Sequence, residues 1–160
     1  SYLNNAVIKD HVTIDSSKIQ DSSVDEYTTI GPMSHLRNNT HVGKHCRIGN
    51  FVEFKNTNFG DGSKCAHLTY VGDRDVGKNV NFGCGVVTVN YDGKNKFRTT
   101  IKDGAFIGSN VNLIAPVTIG ENALLAAGST ITDDVEDGDM GIARNRQSNK
   151  EGYGTQYKNK

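Results

Sequence analysis

The sequence predicts an all-β fold, a parallel β-helix in which short strands wind around a three-sided prism. Three observations predict it. Aliphatic or Phe residues recur at intervals of about six, Gly follows many of them, and the 160 residues include 18 Gly but only 2 Pro and no Trp. A period of about six fits neither an α-helix, which needs spacings of about 3 and 4, nor an ordinary strand, which needs about 2.

A ladder of apolar residues carries this period from residue 30 to residue 131, with one interruption. Its members are Ile30, Leu36, Val42, Ile48, Phe54, Phe59, Cys65, Val71, Val76, Phe82, Ile101, Ile107, Leu113, Ile119, Leu125 and Ile131. Three short strands make one coil of about 18 residues, after which the chain returns to the same face. Ile48, Cys65 and Phe82 should therefore share one face, and Phe54 and Val71 another. Each coil buries its inner side only against its neighbours.

Three segments depart from the ladder. Residues 7–24 have irregular spacings, which are typical of coils that begin in mid-domain, so we expect a fragment of a longer protein. Residues 90–100, NYDGKNKFRTT, lack periodic apolar positions and are predicted to form a loop excluded from the prism, where function is often found. After Ile131 the period is lost, and residues 136–160 are predicted to form a C-terminal arm and frayed tail. The β-helix domain is thus assigned to residues 1–135.

Composition and charge exclude several classes of function. Lys plus Arg and Asp plus Glu are balanced at 18 each, which argues against a protein that binds nucleic acid or a membrane surface. No apolar run approaches the ~20 residues that span a bilayer, and the first residues do not form a signal peptide. The 3 cysteines are an odd number without a CxxC pair, which indicates free thiols in a reducing cytoplasm.

The ladder also predicts which polar side chains point outward. His67 lies two residues after Cys65, so it should be outside the prism, with Asn50 one coil below it and Cys84 one coil above. A lone surface His is usually no more than a solvated polar residue. His67, however, is predicted to have other polar residues near it on consecutive coils: Glu53, Lys55, Tyr70, Asn81 and the loop 90–100. Imidazole can take a proton near neutral pH, and a carboxylate such as that of Glu53 could orient it.

The other polar residues have two interpretations each. Lys55 and Arg37 could be ordinary solvated residues, or they could bind a phosphate, Arg through its bidentate fork and Lys as a point charge. The stretch 90–93, NYDG, could be simple turn chemistry. Arg144 and Arg146 could contribute solubility or clamp a cofactor that bears phosphate.

Cys84 is a further alternative, because it is predicted to lie near His67. A Cys–His pair can form a covalent acyl-enzyme. The interpretation we favour is that a small residue is needed between Gly83 and Gly85 so that a ligand can approach.

Several runs of sequence resemble one family over residues 30–153. They are HLR (35–37), GNFVEFK (49–55), HLTYVGD (67–73), VNFGCGVVTVNYDGKNKFRT (80–99), IGSNVNLIAPVTIG (107–120) and ARNRQSNKEGY (143–153). The family is the acetyltransferase domain of the bacterial bifunctional N-acetylglucosamine-1-phosphate uridyltransferase / glucosamine-1-phosphate N-acetyltransferase. HLTYVGD together with NYDGKNKF is far more specific than the repeat alone.

The resemblance implies a fold, an assembly and a reaction. The fold is a left-handed parallel β-helix, and the assembly is a homotrimer with active sites between subunits. The reaction moves acetyl from acetyl-CoA to the amine of glucosamine-1-phosphate, on the route to UDP-N-acetylglucosamine and the peptidoglycan cell wall. Neither a nucleic acid nor a membrane is an implied partner.

The resemblance also implies roles for individual residues. His67 is implied as the general base, assisted by Glu53. The residues implied to hold the sugar phosphate are Arg37, Lys55, Tyr70, Asn81 and Lys96. Those implied on the acetyl-CoA side are Asn90, Tyr91, Cys84, Ser109, Ala127 and Arg144. Ser109 is a candidate donor to the thioester oxygen.

The chain departs from the family at three points. The uridyltransferase half is absent from this sequence, so we expect neither uridyl transfer nor a catalytic metal. Asn38 and Asn39 stand where Pro-Gly is expected after Arg37, which leaves the geometry of that turn open. Cys84 stands where Ala is expected, which weakens the covalent interpretation.

Rival functions fit the residues less well. A zinc-dependent carbonic anhydrase on the same prism would need three His at matching positions. The candidates His35, His41, His45 and His67 lie at unmatched positions of the repeat. A non-catalytic scaffold with flat Thr arrays would need more than Thr28-Thr29 and Thr99-Thr100. Another acyl acceptor stays possible within the acyltransferases.

Overall fold

A computed structural model describes residues 1–158 as one parallel β-helix followed by a short helix. The strands, in chain order, are β1 Tyr2–Ile8, β2 Thr13–Ile14, β3 Lys18–Val24, β4 Thr29–Ile30, β5 His35–Arg37, β6 His41–Val42, β7 Arg47–Phe59, β8 Lys64–Val76, β9 Asn81–Phe82, β10 Val87–Val89, β11 Thr99–Ile101, β12 Phe106–Ile107, β13 Asn112–Ile114, β14 Thr118–Ile119, β15 Leu124–Leu125, β16 Thr130–Ile131 and β17 Met140–Gly141. Helix α1 spans Tyr153–Lys158.

The strands pair in parallel with the coil above and the coil below, as the period of about six predicts. β7 and β8 bend around the prism, and each supplies all three faces of its coil. Ile48 pairs with Cys65 on what we call the first face, Phe54 with Val71 on the second, and Phe59 with Val76 on the third. Cys65 then pairs with Phe82. The predicted sharing of faces is therefore confirmed, whereas the left hand of the winding stays a prediction.

The predicted ladder is the core. Each of its members is at most 5% exposed, and Thr88 fills the one rung between Phe82 and the excluded loop. Burying an aliphatic or aromatic side chain of this size contributes about 1.5–3 kcal/mol. Because each coil is only a few residues wide, that contribution depends on the neighbouring coils being present.

The Gly residues of the repeat are needed for close packing between coils and not for a left-handed backbone at the corner. Gly49 and Gly83 have ordinary φ, but a Cβ on either would overlap the backbone of the next coil, at Ala66 and Ser109 respectively. The left-handed residue of each corner follows one or two positions later. Large side chains such as that of Phe51 (φ 55°) occupy several of these corners. Gly is therefore selected here by close contact between coils rather than by φ.

Both ends of the prism extend beyond the regular ladder. β1 pairs with β3, with Leu3 opposite Ile19, so the irregular N-terminal segment forms genuine coils. In the predicted arm, β17 still pairs with β15, with Leu125 opposite Gly141, because the lack of a side chain at Gly141 lets the chain pack on Leu125. α1 lies within the segment predicted as a frayed tail. Residues 159–160 of that tail lie outside the described residues.

The turn after Arg37 is made by two successive left-handed residues. Asn38 has φ 54° and Asn39 has φ 59°. Asn tolerates this conformation better than most residues because its short polar side chain can bond locally. The Asn39 amide also donates to the carbonyl of Asp21 in the coil below, at 2.8 Å. The pair Asn38-Asn39 thus forms a tight corner without the expected Pro-Gly.

Candidate active site

The second face carries a group of charged and polar side chains that we call the anion cluster. Its members are Arg37, Lys55, Tyr70, Asp73, Asn90 and Lys96. Three strands bring most of them together, because Arg37 pairs with Lys55 across β5 and β7, and Glu53 pairs with Tyr70 across β7 and β8. Neighbouring strands of a sheet lie ~4.8 Å apart, so side chains that point outward from these positions are stacked in contact distance.

Arg37 is held on this face by Glu53. Its Nε donates to Glu53 Oε1 at 2.8 Å, and its Nη2 lies 2.7 Å from the same oxygen. The side chains are 33% and 39% exposed, so the pair itself contributes at most about 1 kcal/mol. The pair matters to the site because it fixes the positions of both groups. The Arg37 guanidinium lies beside Lys55, and the Glu53 carboxylate is bound to Arg37.

Asp73 is the hub of the anion cluster. Its Oδ1 accepts a hydrogen bond from Asn56 Nδ2 at 2.7 Å, and its Oδ2 accepts one from Asn90 Nδ2. The ammonium nitrogen of Lys55 lies 3.7 Å from the same Oδ2. Burial alone would raise the pKa of Asp73, but the hydrogen bonds from both Asn side chains and the positive charge of Lys55 lower it overall. Asp73 is therefore a buried carboxylate held in its ionised form.

Lys55 has two other cationic side chains close to it. Burial lowers its pKa, and the neighbouring ammonium of Lys96 and guanidinium of Arg37 lower it further, against the attraction of Asp73. Like charges this close repel unless an anion lies between them. The arrangement therefore favours binding of an anion at this point of the second face.

Gly72 leaves the space in which the cluster closes. A Cβ at this position would overlap the Tyr70 hydroxyl and would lie 2.9 Å from Asn90 Nδ2. The backbone N–H of Gly72 donates to Thr88 Oγ1 at 2.8 Å, which fixes the strand beneath the Tyr70 ring. The absence of a side chain at Gly72 thus leaves room for both the Tyr70 hydroxyl and the Asn90 amide.

The excluded loop delivers Asn90 and Lys96 to the cluster. It spans residues 90–98 rather than the predicted 90–100, because Thr99 and Thr100 already pair as part of β11. Arg98 anchors its far end, with Nε and Nη2 donating to both oxygens of Asp75 at 2.6 and 2.7 Å. Within the loop, Asp92 Oδ1 accepts from the backbone N–H of Asn95 at 2.6 Å. The loop is therefore a fixed part of the site.

A second group lies along one edge of the first face, and we call it the His67 column. It consists of His67, Cys84, Ser109 and Ala127. Each follows an inward-pointing core residue by two positions, and these core residues pair with one another on consecutive coils. Each also directly precedes a left-handed corner residue. All four are exposed. Register alone therefore stacks them along the prism on consecutive coils.

Arg144 closes the upper end of the column. Its Nη1 donates to the carbonyl of Ala127 at 2.6 Å. The chain here forms a groove lined by Ile142, Arg144, Asn145, Arg146 and Gln147. Two guanidinium groups beside a polar groove are suited to bind phosphate groups.

One corner separates the anion cluster from the His67 column. Leu68, with φ 43°, turns the chain between His67 and Tyr70, so these two side chains lie on adjoining faces. The outer side of this corner is apolar: Met33, Phe51 and Leu68 are 57–60% exposed on consecutive coils. This explains why HLTYVGD places a His and a Tyr three residues apart, since each belongs to a different face.

Comparison with known proteins shows which proteins this chain resembles. The family described as bacterial transferase hexapeptide (six repeats) matches residues 98–133. The bifunctional protein GlmU of Exiguobacterium sp. is 54% identical over 153 residues, which are 96% of this chain and 34% of that protein. GlmU of Shouchella clausii is 61% identical over 142 residues, 89% of this chain and 31% of that protein.

The chain is homologous to the C-terminal domain of GlmU. It spans about a third of the length of the curated relatives it matches, among them GlmU of Clostridioides difficile, which is 56% identical. The resemblance inferred from HLTYVGD and NYDGKNKF is thereby confirmed.

Solved structures with much lower identity share the fold. AntD, an N-acyltransferase from Bacillus cereus in complex with dTDP and 3-hydroxybutyryl-CoA, has a TM-score of 0.58 at 14% identity, over 97% of this chain and 88% of that one. The polySia-specific acetyltransferase NeuO has a TM-score of 0.53 at 17% identity, over 93% and 88%. The parallel β-helix therefore recurs in chains that share little sequence with this one.

The residues predicted from the GlmU resemblance divide between these regions. Arg37, Lys55, Tyr70, Asn90 and Lys96 come together in the anion cluster. His67, Cys84, Ser109, Ala127 and Arg144 follow the column. Asn81 lies on the first face, paired with Lys64 and Phe106, and Tyr91 donates from its hydroxyl to Gly93 O within the loop. Glu53 is bound to Arg37, and the register partner of His67 is Asn50, so assistance of His67 by Glu53 stays a prediction.

Sequence reasoning missed Asp73 and Arg74. Asp73 ends the HLTYVGD run, and its signal was an acidic residue at a left-handed corner beside a predicted cation. Arg74 breaks the repeat, because a charged residue stands where the other coils of this face have a small one. Across residues 1–158, no group of three or more His, Cys, Asp or Glu side chains is arranged to hold a metal, and no helix could span a membrane.

Proposed function

We propose that the chain transfers acetyl from acetyl-CoA to the amine of glucosamine-1-phosphate, giving N-acetylglucosamine-1-phosphate in the cytoplasm. The observation that carries the proposal is the charge of the anion cluster. Lys55 and Lys96 share one carboxylate, that of Asp73, so one positive charge is left over beside Arg37. A phosphate monoester supplies the missing negative charge and accepts hydrogen bonds from these donors.

Phosphate binding in the cluster would position the rest of the sugar. Tyr70 and Asn90 supply a hydroxyl and an amide beside the cations, which suits a sugar ring. The amine of a sugar anchored in this way would extend across the Leu68 corner toward His67. Holding the two reactants in place converts a collision into an intramolecular step, which is a large part of catalysis.

The His67 column would carry the chemistry. Acetyl-CoA would supply the acetyl group as a thioester. The amine nitrogen forms a bond to the thioester carbon while His67 takes a proton from it. The carbon–sulfur bond then breaks and the sulfur takes that proton from His67, so that CoA leaves as its thiol. Ser109, on the same column, would donate a hydrogen bond to the carbonyl oxygen as negative charge develops there. Cys84 has no covalent role in this direct transfer.

Arg144 would hold the cosubstrate at the other end. Its guanidinium is already fixed on the Ala127 carbonyl, at the top of the column. With Arg146 in the same groove, it presents positive charge to the phosphates of CoA. The acetyl end would then lie along Ala127 and Ser109, within reach of His67.

A second and third copy of the chain would complete the site, in a homotrimer. The support is the exposed state of the column together with the apolar corner formed by Met33, Phe51 and Leu68. Contiguous exposed apolar side chains of this kind mark a surface that another protein covers. A partner on this corner would enclose the gap between His67 and the anion cluster and exclude water from it.

The test is release of CoA thiol from acetyl-CoA with matched acceptors. We expect glucosamine-1-phosphate to be acetylated and free glucosamine, which lacks the phosphate, to react far more slowly at equal concentration. The amide product is confirmed by mass spectrometry. Equal rates with both acceptors would refute the role of the anion cluster, and thiol release without an acetylated sugar would refute the reaction itself.

A further inference from the structure

The excluded loop is a small hairpin with hydrogen bonds of its own. Tyr91 pairs with Lys96 in an antiparallel bridge. At the base of the hairpin, the backbone N–H of Phe97 donates to the carbonyl of Asn90 at 2.9 Å. Because these contacts hold it together, the hairpin moves as a unit, and the attachment of its base decides where Lys96 lies.

Both ends of the hairpin meet the prism at one corner. Thr99 pairs with Arg74 in the coil below, so Arg98 comes directly above Asp73. At the other end, Asn90 donates from Nδ2 to the Asp73 carboxylate. A hairpin whose two ends meet the fold at one corner can swing about that corner unless side-chain bonds fix its angle.

Arg98 supplies those bonds, which we call the Arg98 clamp. Its Nε and Nη2 donate to the two carboxylate oxygens of Asp75 at 2.6 and 2.7 Å. Its Nη2 also donates to the Arg74 carbonyl at 2.6 Å, and its Nη1 donates to the Asn56 carbonyl at 3.0 Å. Arg74 and Asp75 lie one coil below Arg98, and Asn56 lies in the coil below those. The clamp thus joins three consecutive coils.

The clamp leaves Arg98 little with which to bind a substrate. Its four hydrogen bonds use most of the N–H donors of the guanidinium, and its charge faces Asp75. Asp75 is itself held by Asn58, whose Nδ2 donates to Oδ1 at 2.8 Å. An exposed ion pair contributes little to stability by its charge alone, but a bidentate pair fixes a geometry. Arg98 is therefore built to place the hairpin.

We propose that Arg98 is a positioning residue for the acceptor: its clamp fixes the base of the hairpin and so holds Lys96 in the anion cluster. The inference rests on the proposed function, because it takes the cluster to bind the sugar phosphate. Lys96 is two residues before Arg98, and its ammonium lies beside Lys55 and Asp73. Without the clamp, the hairpin swings about Asn90 and takes Lys96 away from the phosphate.

The first test is the kinetics of Arg98→Met and Arg98→Lys. The first removes the clamp, and the second keeps the charge but cannot bond several acceptors in one plane. We expect both to raise KM for glucosamine-1-phosphate about tenfold, with kcat within about twofold of the parent. Lys102→Met is the matched control, because it removes another exposed cation, 3.9 Å from Asp137, and its KM should match the parent. An unchanged KM in Arg98→Met, or full activity in Arg98→Lys, would overturn the proposal.

A double-mutant cycle tests whether Arg98 acts through Lys96. In a Lys96→Ala background the hairpin has no ammonium left to place. Arg98→Met should therefore raise KM by less than about twofold there, although it raises KM about tenfold in the parent. Effects that simply multiply would show that Arg98 acts by another route and would contradict the proposal.

A third measurement needs no ligand. Trypsin cleaves after Lys94 and Lys96 only when the hairpin leaves the prism, so cleavage there should be about tenfold faster in Arg98→Met than in the parent or Lys102→Met. Mass spectrometry locates the cut. An unchanged rate overturns the proposal whether or not the chain transfers acetyl. Faster cleavage in Arg98→Met, when the parent does not acetylate glucosamine-1-phosphate, would support the clamp and refute the proposed function. If Arg98→Met does not fold, Asp75→Ala removes the same clamp from its other side.

Discussion

The anion cluster and the His67 column lie on adjoining faces of one prism, but they are held in different ways. Asp73, at the centre of the cluster, is 7% exposed and is bound by two Asn side chains and one Lys. His67 and Ser109 in the column are exposed, and their positions follow from the register of the coils. The cluster is thus a site that one chain builds, and the column is an open edge.

This difference assigns the two regions different tasks. Preformed contacts reduce the entropic cost of binding, so the cluster suits recognition of the sugar phosphate. An open edge suits a long cosubstrate that must enter, react and leave as CoA. Substitutions in the column should therefore slow the chemical step, and substitutions in the cluster should weaken binding of the acceptor.

The largest effect should come from His67→Ala. Loss of the base that takes the amine proton should lower kcat by ~10²–10⁴, with little change in KM for glucosamine-1-phosphate. Steady-state kinetics of thiol release measures both constants. Asn50→Ala is the control, because Asn50 pairs with His67 from the coil below but is not a member of the column, and the kcat of this variant should match that of the parent. A raised KM with unchanged kcat in His67→Ala would break the proposed division of tasks.

Lys55→Ala should have the next largest effect, on binding. A hydrogen bond between charged groups contributes about 1.5–3 kcal/mol, so KM for glucosamine-1-phosphate should rise ~10- to 100-fold while kcat changes much less. Lys64→Ala is the matched control, since Lys64 is an exposed lysine on the first face of the same coil as Asp73. Equal effects of the two substitutions would show that the cluster acts only through general positive charge.

The two regions also differ in how well the sequence predicted them. The ladder predicted that His67 and Cys84 lie on the outside of consecutive coils, whereas Ser109 and Ala127 were implied only by the family resemblance; in the structure all four share an offset of two from an apolar residue. Register is a property of backbone spacing, and spacing is visible in a sequence. The same reasoning predicted the buried core, from Ile30 to Ile131, and the position of the excluded loop.

The cluster was predicted less completely, because side-chain contacts decide it. The stacking of Glu53 on Tyr70 followed from the repeat, but the engagement of Glu53 with Arg37 depends on rotamers that no spacing reveals. Asp73 was missed because its partners, Asn56 and Asn90, are 17 positions away on either side. The role of Gly in the repeat was likewise visible only once neighbouring coils were in contact, as at Gly49.

Gly72→Ala should damage the cluster without removing a charge. The added methyl would overlap the Tyr70 hydroxyl and crowd Asn90, so both must shift. Overpacking of this kind costs about 1–3 kcal/mol, and we expect KM for glucosamine-1-phosphate to rise ~10-fold with kcat nearly unchanged. Gly154→Ala is the control, because a Cβ at that position has no neighbour within 4 Å. A loss confined to kcat would indicate that Tyr70 acts with the column instead.

The smallest effect should come from Cys84→Ala, which tests whether the column reacts covalently. Burial raises the pKa of Cys46 to about 11 and that of Cys65 to about 12, so these thiols stay protonated, and Cys84 is the exposed one. Ala127 occupies the same position of the column, also before a left-handed Gly, so a methyl group is compatible with the backbone there.

If transfer is direct, Cys84→Ala should retain kcat within about threefold, since its thiol has no bond to make. Mass spectrometry of the parent, mixed with acetyl-CoA alone and quenched rapidly, should then show no added acetyl group. An acetylated Cys84 in the parent, together with loss of turnover in Cys84→Ala, would establish the covalent route. In that case His67 would activate the thiol of Cys84 one coil above it, and the column would bind the acetyl group itself while the cluster still bound the sugar.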